Sequence, residues 1–251
     1  PKLCENMKIL YLTNSRLPGE KAHAIQILKT CAALGEKAKV KIVHARRINR
    51  PWLKTIEDMQ SYYKLPRQIS IKSVYSLDLF RIAHILSFGM TFAYRIAFAI
   101  QMITYHISLL PYLLNRKSDV YYTRDSLTAV LLVVLGKYRT ALVLYESHYF
   151  PSTMIGVWII KLLSKYLNGV VVLTKMLSEK YVNLGIASDR VIVIPDAVDI
   201  ESFNRCSKQE ARDILGIKPD SFLVMYVGHM YHWKGVDTLI KASQLLNDDA
   251  E

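Results

Sequence analysis

The sequence predicts a doubly wound α/β fold built on a parallel sheet. Short apolar runs, rich in β-branched and aromatic residues, recur along the 251-residue chain, and longer helical stretches separate them. These runs are continuously hydrophobic instead of alternating, which is typical of strands buried on both faces. The strand–helix–strand order therefore indicates a parallel sheet that is covered by helices.

Each strand is predicted from one apolar run. The eight runs are Lys8–Thr13, Val40–Ala45, Ile69–Val74, Val120–Thr123, Leu142–Tyr145, Val170–Leu173, Val191–Ile194 and Leu223–Val227. Between the first two runs, Ile25, Leu28 and Ala32 recur at steps of three or four residues, so a helix is expected there. A last helix is expected at about Val236–Leu246.

The charge distribution indicates two domains. The net charge is +12, yet residues 1–195 hold 27 of the 33 Lys and Arg and only 11 of the 21 Asp and Glu. A turn-rich stretch, Pro195–Asp199, follows directly. We therefore predict domains at 1–195 and 196–251. The second domain would hold one βα unit, which cannot close a sheet, so we expect the chain to stop inside a larger domain.

Composition excludes several classes of protein. Half of the residues are apolar, which excludes a disordered chain. Cys4, Cys31 and Cys206 are odd in number and far apart, so neither a disulfide framework nor a zinc pair is expected. The first ten residues lack a secretory pattern, and we expect a cytoplasmic protein. The basic charge suits nucleic acid, phosphorylated substrates or an anionic membrane, but the basic residues are interleaved along the chain and no nucleic-acid-binding signature accompanies them.

One apolar stretch is long enough to span a membrane. Ile96–Asn115 contains twenty residues without Asp, Glu, Lys or Arg. A single crossing would place the strands before and after it on opposite sides of the bilayer, so we favour a crossover helix that packs on the sheet. The alternative is a helix whose outer face lies in the membrane interface, flanked by Arg95 and Arg116.

Three local stretches could carry chemistry. Phosphate-loop, nucleophile-elbow, zinc-helix and dinucleotide-binding motifs are absent from the sequence. The stretch Asn14–His23 follows the first strand, and Tyr145–His148 ends the fifth, where ligands of open α/β sheets bind. In the third stretch, Tyr226–Gly235, a glycine ends a strand and a lysine–glycine pair opens the next helix, which is a suitable anion clamp.

These stretches resemble the family 4 retaining glycosyltransferases, which have the GT-B fold. Val170–Phe203 is similar to the segment that links the two domains of that family, and Gly228–Gly235 is similar to its G-R-x(4)-K-G motif. The resemblance implies two Rossmann-like domains, of which the first binds the acceptor and the second a nucleotide-sugar. It also implies sugar transfer with retention of configuration, without a metal or another cofactor.

The resemblance assigns roles to particular residues. Lys234 matches the lysine that stabilises the β-phosphate of the donor as it leaves, and His148 matches a histidine near the reacting sugar. Gly19 matches the first glycine of a loop close to the donor phosphates. In the donor motif, Gly228 and Gly235 match the two glycines.

The chain also departs from the family pattern. His229 replaces the usual arginine after Gly228, and Glu20 stands where a second loop glycine is frequent. Asp196 and Ala197 replace Asn-Gly in the linker turn. The family's E-x(7)-E segment, whose last glutamate holds the ribose of the donor, is not reached. We therefore expect these 251 residues to bind nucleotide-sugar poorly and to be inactive alone.

The predicted function follows from the resemblance and the charge. We expect a peripheral enzyme at the inner face of the membrane that glycosylates a lipid-linked or polysaccharide acceptor, in envelope polysaccharide or glycolipid synthesis. The alternative is a non-catalytic, glycosyltransferase-like binding module or partner subunit. Nucleic acid is not an expected partner.

Overall fold

The chain divides into two compact units. The computed structural model describes residues 6–86, 91–198, 200 and 206–245, without the side chains of residues 81, 85 and 86. The two units are Pro1–Ala197 and Val198–Glu251, and their division falls close to residue 195. Four residues used in the sequence analysis lie outside the described part: Cys4, Asp199, Phe203 and Leu246.

The first unit is built on a seven-stranded sheet in which every neighbouring pair is parallel. The strands are β1 (Lys8–Thr13), β2 (Lys39–Ala45), β3 (Ser70–Val74), β4 (Val120–Thr123), β5 (Leu142–Ser147), β6 (Gly169–Val172) and β7 (Val191–Val193). Their order in space is β3-β2-β1-β4-β5-β6-β7. The first seven predicted strands are confirmed to within two residues at either end.

Helices connect the strands. In the first unit they are α1 (Ala22–Leu34), α2 (Pro51–Lys54), α3 (Met59–Tyr62), α4 (Phe80–Leu86), α5 (Thr91–Leu114), α6 (Ser126–Val134), α7 (Met154–Leu163) and α8 (Lys175–Asn183). The helix expected between the first two strands is confirmed as α1.

Strand β1 shows why the runs are continuously apolar. Leu10 and Leu12 pack in one hydrophobic cluster, together with residues of α5. Ile9 and Tyr11 point to the opposite face and pack in a second cluster, together with residues of α1. Both faces of the sheet are thus covered, as the sequence pattern predicts.

Helix α5 crosses from β3 to β4 and packs on the sheet through Tyr105, Leu109 and Leu113, which are fully buried. By length and composition alone it could cross a membrane, and one third of its apolar window is buried. The expected crossover helix is therefore confirmed. Its other face exposes large apolar side chains, including Ile103 and Ile107.

The second unit contains α9 (Lys208–Leu215), a short 3-10 turn at His232–Lys234 and α10 (Val236–Ser243). Ser207 and Glu210 form a capping box at the start of α9. The predicted strand Leu223–Val227 is wrong, since only an isolated bridge at Phe222 is present. A strand needs a hydrogen-bonded neighbour, and the described part of this unit contains no other extended segment that forms a ladder with it.

Candidate functional site

A cavity of about 300 Å³ opens at the carboxyl ends of β1, β4 and β5. Its lining includes Ser15, His23, Arg124, Glu146, His148 and Tyr149. The chain order reverses between β1 and β4, which is where open α/β sheets bind ligands. The fold therefore places the predicted residue His148 in the position expected for a ligand site.

Three charged or ionisable side chains form the centre of the cavity. The Nε2 atom of His148 lies 2.6 Å from Oε1 of Glu146 and 2.5 Å from Nη2 of Arg124. Nε of Arg124 lies 3.6 Å from the same oxygen of Glu146. The side chain of Glu146 is 8% exposed, so its carboxylate is nearly removed from water. The positive charge of Arg124 balances the carboxylate in this environment.

Glu146 is ionised in this cluster. Burial raises the pKa of its carboxyl, but the hydrogen bond with His148, the charge of Arg124 and a hydrogen bond with Tyr122 outweigh burial, and the pKa falls below its usual value. The same carboxylate, after the larger effect of burial, raises the pKa of the Tyr122 hydroxyl. Tyr122 therefore stays protonated and can donate to Glu146.

Arg124 extends the cluster toward α1 and the end of the first unit. Its Nη1 atom donates to Oε1 of Gln26 at 3.1 Å. The amide of Gln26 in turn donates to Asp196, one of the residues that depart from the family's linker turn. Asp196 thus holds the side chain of Gln26, which in turn accepts a hydrogen bond from Arg124.

His23 adds a second imidazole to the cavity. Burial lowers the pKa of its ring, and the positive charges of Lys21, Arg124 and Arg47 lower it further, against a smaller opposite effect of Glu20. His23 is therefore neutral near pH 7. A neutral imidazole can accept a hydrogen bond at one nitrogen and donate one from the other.

In the loop after β1, the backbone of Gly19 is bonded to the side chain of Tyr63. The N–H of Gly19 donates to the Tyr63 hydroxyl at 2.7 Å, and that hydroxyl donates to the Gly19 carbonyl at 2.8 Å. A Cβ at Gly19 would lie 2.7 Å from the carbonyl oxygen of Arg16, so the close turn itself requires glycine. Both polar backbone groups of Gly19 are thus bonded within the protein, and its role near the donor phosphates stays a prediction.

Glu20 is paired with two arginines. Nη2 of Arg16 lies 2.7 and 2.6 Å from its two carboxylate oxygens, and Nε of Arg50 lies 3.2 Å from one of them. Burial raises the pKa of Glu20, but its backbone hydrogen bond and Arg16 outweigh burial and lower the pKa. The carboxylate is therefore largely neutralised by its neighbours. Neither Gly19 nor Glu20 lines the cavity.

A second polar cluster lies between α5 and the ends of β1 and β4. Asn14 and Gln101 exchange amide hydrogen bonds of 3.0 and 2.6 Å. The backbone N–H of Asn14 donates to Asp125 at 3.1 Å. Nε2 of His106 lies 3.1 Å from the Thr128 hydroxyl. This cluster fixes the β1 exit, from which Ser15 enters the cavity.

The remaining predicted residues belong to the second unit. Lys234 is exposed, and Gly235 has a φ of 71° just before α10, which favours glycine. His229 directly follows Gly228, and its carbonyl accepts a hydrogen bond from the Tyr226 hydroxyl at 2.8 Å. The sequence-based roles of these four residues stay predictions.

Arg124 and Glu146 were not selected from the sequence, although Glu146 lies inside the chosen stretch Tyr145–His148. Arg124 directly follows β4, so the strand-end argument that selected His148 could have found it as well. His23 lay within the stretch after β1 but could not be separated from its neighbours without the fold. In the residues that the structure describes, no group of three or more His, Cys, Asp or Glu could hold a metal ion.

Sequence comparison finds glycosyltransferases. A D-inositol 3-phosphate glycosyltransferase of Paenarthrobacter aurescens is 33% identical over 58 residues, which are 23% of this chain and 14% of the relative. A second such enzyme, from Catenulispora acidiphila, is 35% identical over 68 residues, 27% of this chain and 16% of the relative. Each match thus covers only a short part of this chain and of the relative. No protein-family model matches the chain.

Structural comparison covers nearly the whole chain. HepE of Anabaena, crystallised with UDP, matches with a TM-score of 0.65 at 14% identity, over 97% of this chain and 59% of HepE. Sucrose-phosphate synthase of Thermosynechococcus elongatus matches with a TM-score of 0.57 at 15% identity, over 96% of this chain and 60% of the synthase. The chain therefore spans about three fifths of these structures. The predicted α/β fold of GT-B type is confirmed.

Proposed function

We propose that this chain forms part of a glycosyltransferase that moves a sugar from a nucleotide-sugar to a lipid-linked or polysaccharide acceptor, with retention of configuration. The observation that carries the proposal is the partly buried Arg124–Glu146–His148 cluster in a cavity at the carboxyl edge of a GT-B-type sheet. The glycosyltransferase relatives and the UDP in HepE support a nucleotide-sugar as donor.

In this proposal, the second unit holds the diphosphate of the donor. Lys234 supplies an ammonium group as negative charge develops on the leaving phosphate, while Gly228, His229 and Gly235 shape the backbone around it. Stabilisation of charge in the transition state is often the largest catalytic contribution. The lysine can supply that charge itself, so the proposed transfer needs no metal.

The first unit holds the acceptor. His148 contacts the reacting sugar or the acceptor hydroxyl, while Arg124 and Glu146 contact its Nε2 atom. The ion pairs of Glu20 with Arg16 and Arg50 offset the negative charge of its carboxylate. Glu20 is therefore compatible with an anionic donor.

We further propose that the enzyme works at the inner face of the membrane as a peripheral protein. Two helices support this location, because α5 exposes Ile103 and Ile107 and α7 exposes Met154, Ile155 and Trp158. Tyr149, which lines the cavity, lies just before α7 and is 79% exposed. A lipid acceptor could thus approach the cavity along an apolar surface, while the basic excess attracts anionic headgroups.

The transfer reaction tests the proposal. The complete gene product, incubated with radiolabelled nucleoside-diphosphate sugars and a lipid extract of its host, should transfer the label to lipid or polymer. His148→Ala should remove most of this activity, and the exposed His84→Ala should not. Absence of transfer with every donor, or full activity of His148→Ala, would contradict the proposal.

Flotation with lipid vesicles tests the membrane location. The protein should float with phosphatidylglycerol vesicles and much less with phosphatidylcholine vesicles. Ile107→Ser and Trp158→Ser should weaken flotation, whereas the exposed Ile214→Ser in the second unit serves as the control. Equal binding to both kinds of vesicle would exclude an electrostatic contribution.

A further inference from the structure

Two neighbours compete for one nitrogen of His148. Oε1 of Glu146 lies 2.6 Å from Nε2, and Nη2 of Arg124 lies 2.5 Å from the same atom. A carboxylate can only accept a hydrogen bond, whereas a guanidinium can only donate one. Nε2 must carry a proton to satisfy Glu146 and must lack a proton to satisfy Arg124. The ring therefore cannot bond both partners at once.

The charge of Glu146 decides which contact is a hydrogen bond. Its carboxyl is ionised, and without a proton on Nε2 two sets of lone pairs would face each other at 2.6 Å in a nearly dry environment. Arg124 loses less, because its Nη1 keeps Gln26 and its Nε faces Glu146. With a proton on Nε2, Glu146 accepts a hydrogen bond from His148, and Arg124 keeps its contacts with Gln26 and Glu146.

The other nitrogen of the ring has no such contact. Within the described residues, Nδ1 of His148 has no hydrogen-bond partner, although the ring lines the cavity and its side chain is 19% exposed. A neutral imidazole that carries its proton on Nε2 has a lone pair on Nδ1. That nitrogen is then free to accept a hydrogen bond from a ligand.

We propose that Glu146, supported by Arg124, is a positioning residue that fixes His148 with its proton on Nε2 and so presents Nδ1 as an acceptor for a ligand hydroxyl. A sugar or another polyol supplies such a donor, and the choice of this ligand rests on the proposed function. An ionised phosphate has no hydrogen to donate, so this position of the cavity selects a hydroxyl group over a phosphate oxygen.

The tautomer can be read without any activity. Long-range ¹H–¹⁵N correlation spectra of the histidine-labelled protein distinguish a protonated Nδ1 from a protonated Nε2, and His148→Gln assigns the signals. We expect the Nε2–H form in the wild-type protein near pH 7. A wild-type ring with a proton on Nδ1, alone or together with one on Nε2, would overturn the proposal.

Three variants separate positioning from folding. Glu146→Ala leaves Arg124 as the described partner of Nε2 and should move the proton of His148 toward Nδ1. Glu146→Gln keeps an accepting oxygen and should retain part of the Nε2–H signal. Glu179→Gln, at an exposed position, should leave the signal unchanged. The dispersion of the backbone amide spectrum shows that each variant is folded. If Glu146→Ala is folded and the tautomer is unchanged, Glu146 does not position the ring.

Kinetics then connect the tautomer to transfer. In the complete gene product, Glu146→Ala should lower kcat on the order of 10²-fold, the cost of a misplaced group, with little change in KM for the donor. Glu146→Gln should recover part of that loss, in step with its tautomer signal. If the wild-type protein transfers no sugar while the spectra show the Nε2–H form, the proposed function fails and the positioning role stands.

Discussion

The two units treat their ionisable side chains in opposite ways. In the first unit, Glu146 is nearly buried and touches His148 and Arg124. In the second unit, Lys234 is exposed, and neither α9 nor α10 buries a side chain within the described residues. The first arrangement preorganises charges at a cost in desolvation, and the second leaves a cation solvated until a ligand arrives.

This contrast separates residues whose replacement damages the fold from residues whose replacement damages only function. Changes in the first unit alter packing and the charges of neighbouring groups together. Changes on the exposed surface of the second unit should alter ligand binding without altering stability. Substitutions at Leu109, Lys234 and Asp125 test that separation.

Core packing should show the largest difference. Leu109 of α5 is fully buried in the core, so Leu109→Ala should cost about 2–5 kcal/mol of unfolding free energy through lost contacts and a cavity. Ile214 of α9 is 78% exposed, and Ile214→Ala should change stability by less than about 0.5 kcal/mol. Urea unfolding followed by circular dichroism measures both. Comparable losses would show that the second unit has a core of its own.

Lys234 should show a large effect on activity alone. Lys234→Met removes the charge proposed to stabilise the leaving diphosphate and should slow transfer by about 10²–10³-fold. The urea midpoint should stay at its wild-type value, because the side chain is exposed. Lys241→Met, an exposed change in α10, is the matched control. A Lys234→Met protein with wild-type activity would remove the donor role from this residue.

The sequence predicted most of the first unit because its strands are buried on both faces. Such strands appear as continuous apolar runs, and the run at Val120–Thr123 matches β4 residue for residue. The run at Leu223–Val227 is also continuously apolar but forms no strand. Strand formation depends on a neighbour, and composition alone does not report whether a neighbour is present.

The candidate site was predicted in part. His148 was found because it directly follows a strand, but its partner Arg124 lies 24 positions earlier and reaches it only through the pairing of β4 with β5. The bond between Gly19 and Tyr63 spans 44 positions and has no local signal. Contacts of this kind follow from sheet order, which the apolar runs do not specify.

Asp125 should show the smallest effect, and its sign is opposite to that of Glu146. Burial raises the pKa of Asp125 more than His106 and the hydrogen bonds of Asn14 and Thr128 lower it. The folded protein therefore holds this proton more tightly than the unfolded chain, and stability is lost as the pH rises from about 4 through the folded-state pKa. Glu146, whose pKa is lowered, instead stabilises the fold above about pH 4.3 and loses that contribution as the pH falls.

Asp125→Asn separates the two carboxyls. The amide cannot ionise and keeps an oxygen that can accept from the backbone of Asn14, so the variant should gain stability relative to the wild type as the pH rises from 4 to 7. Urea midpoints across this range measure the gain, and the exposed Asp220→Asn should show a constant offset instead. If the difference between Asp125→Asn and the wild type does not change with pH, the carboxyl is not destabilised by burial.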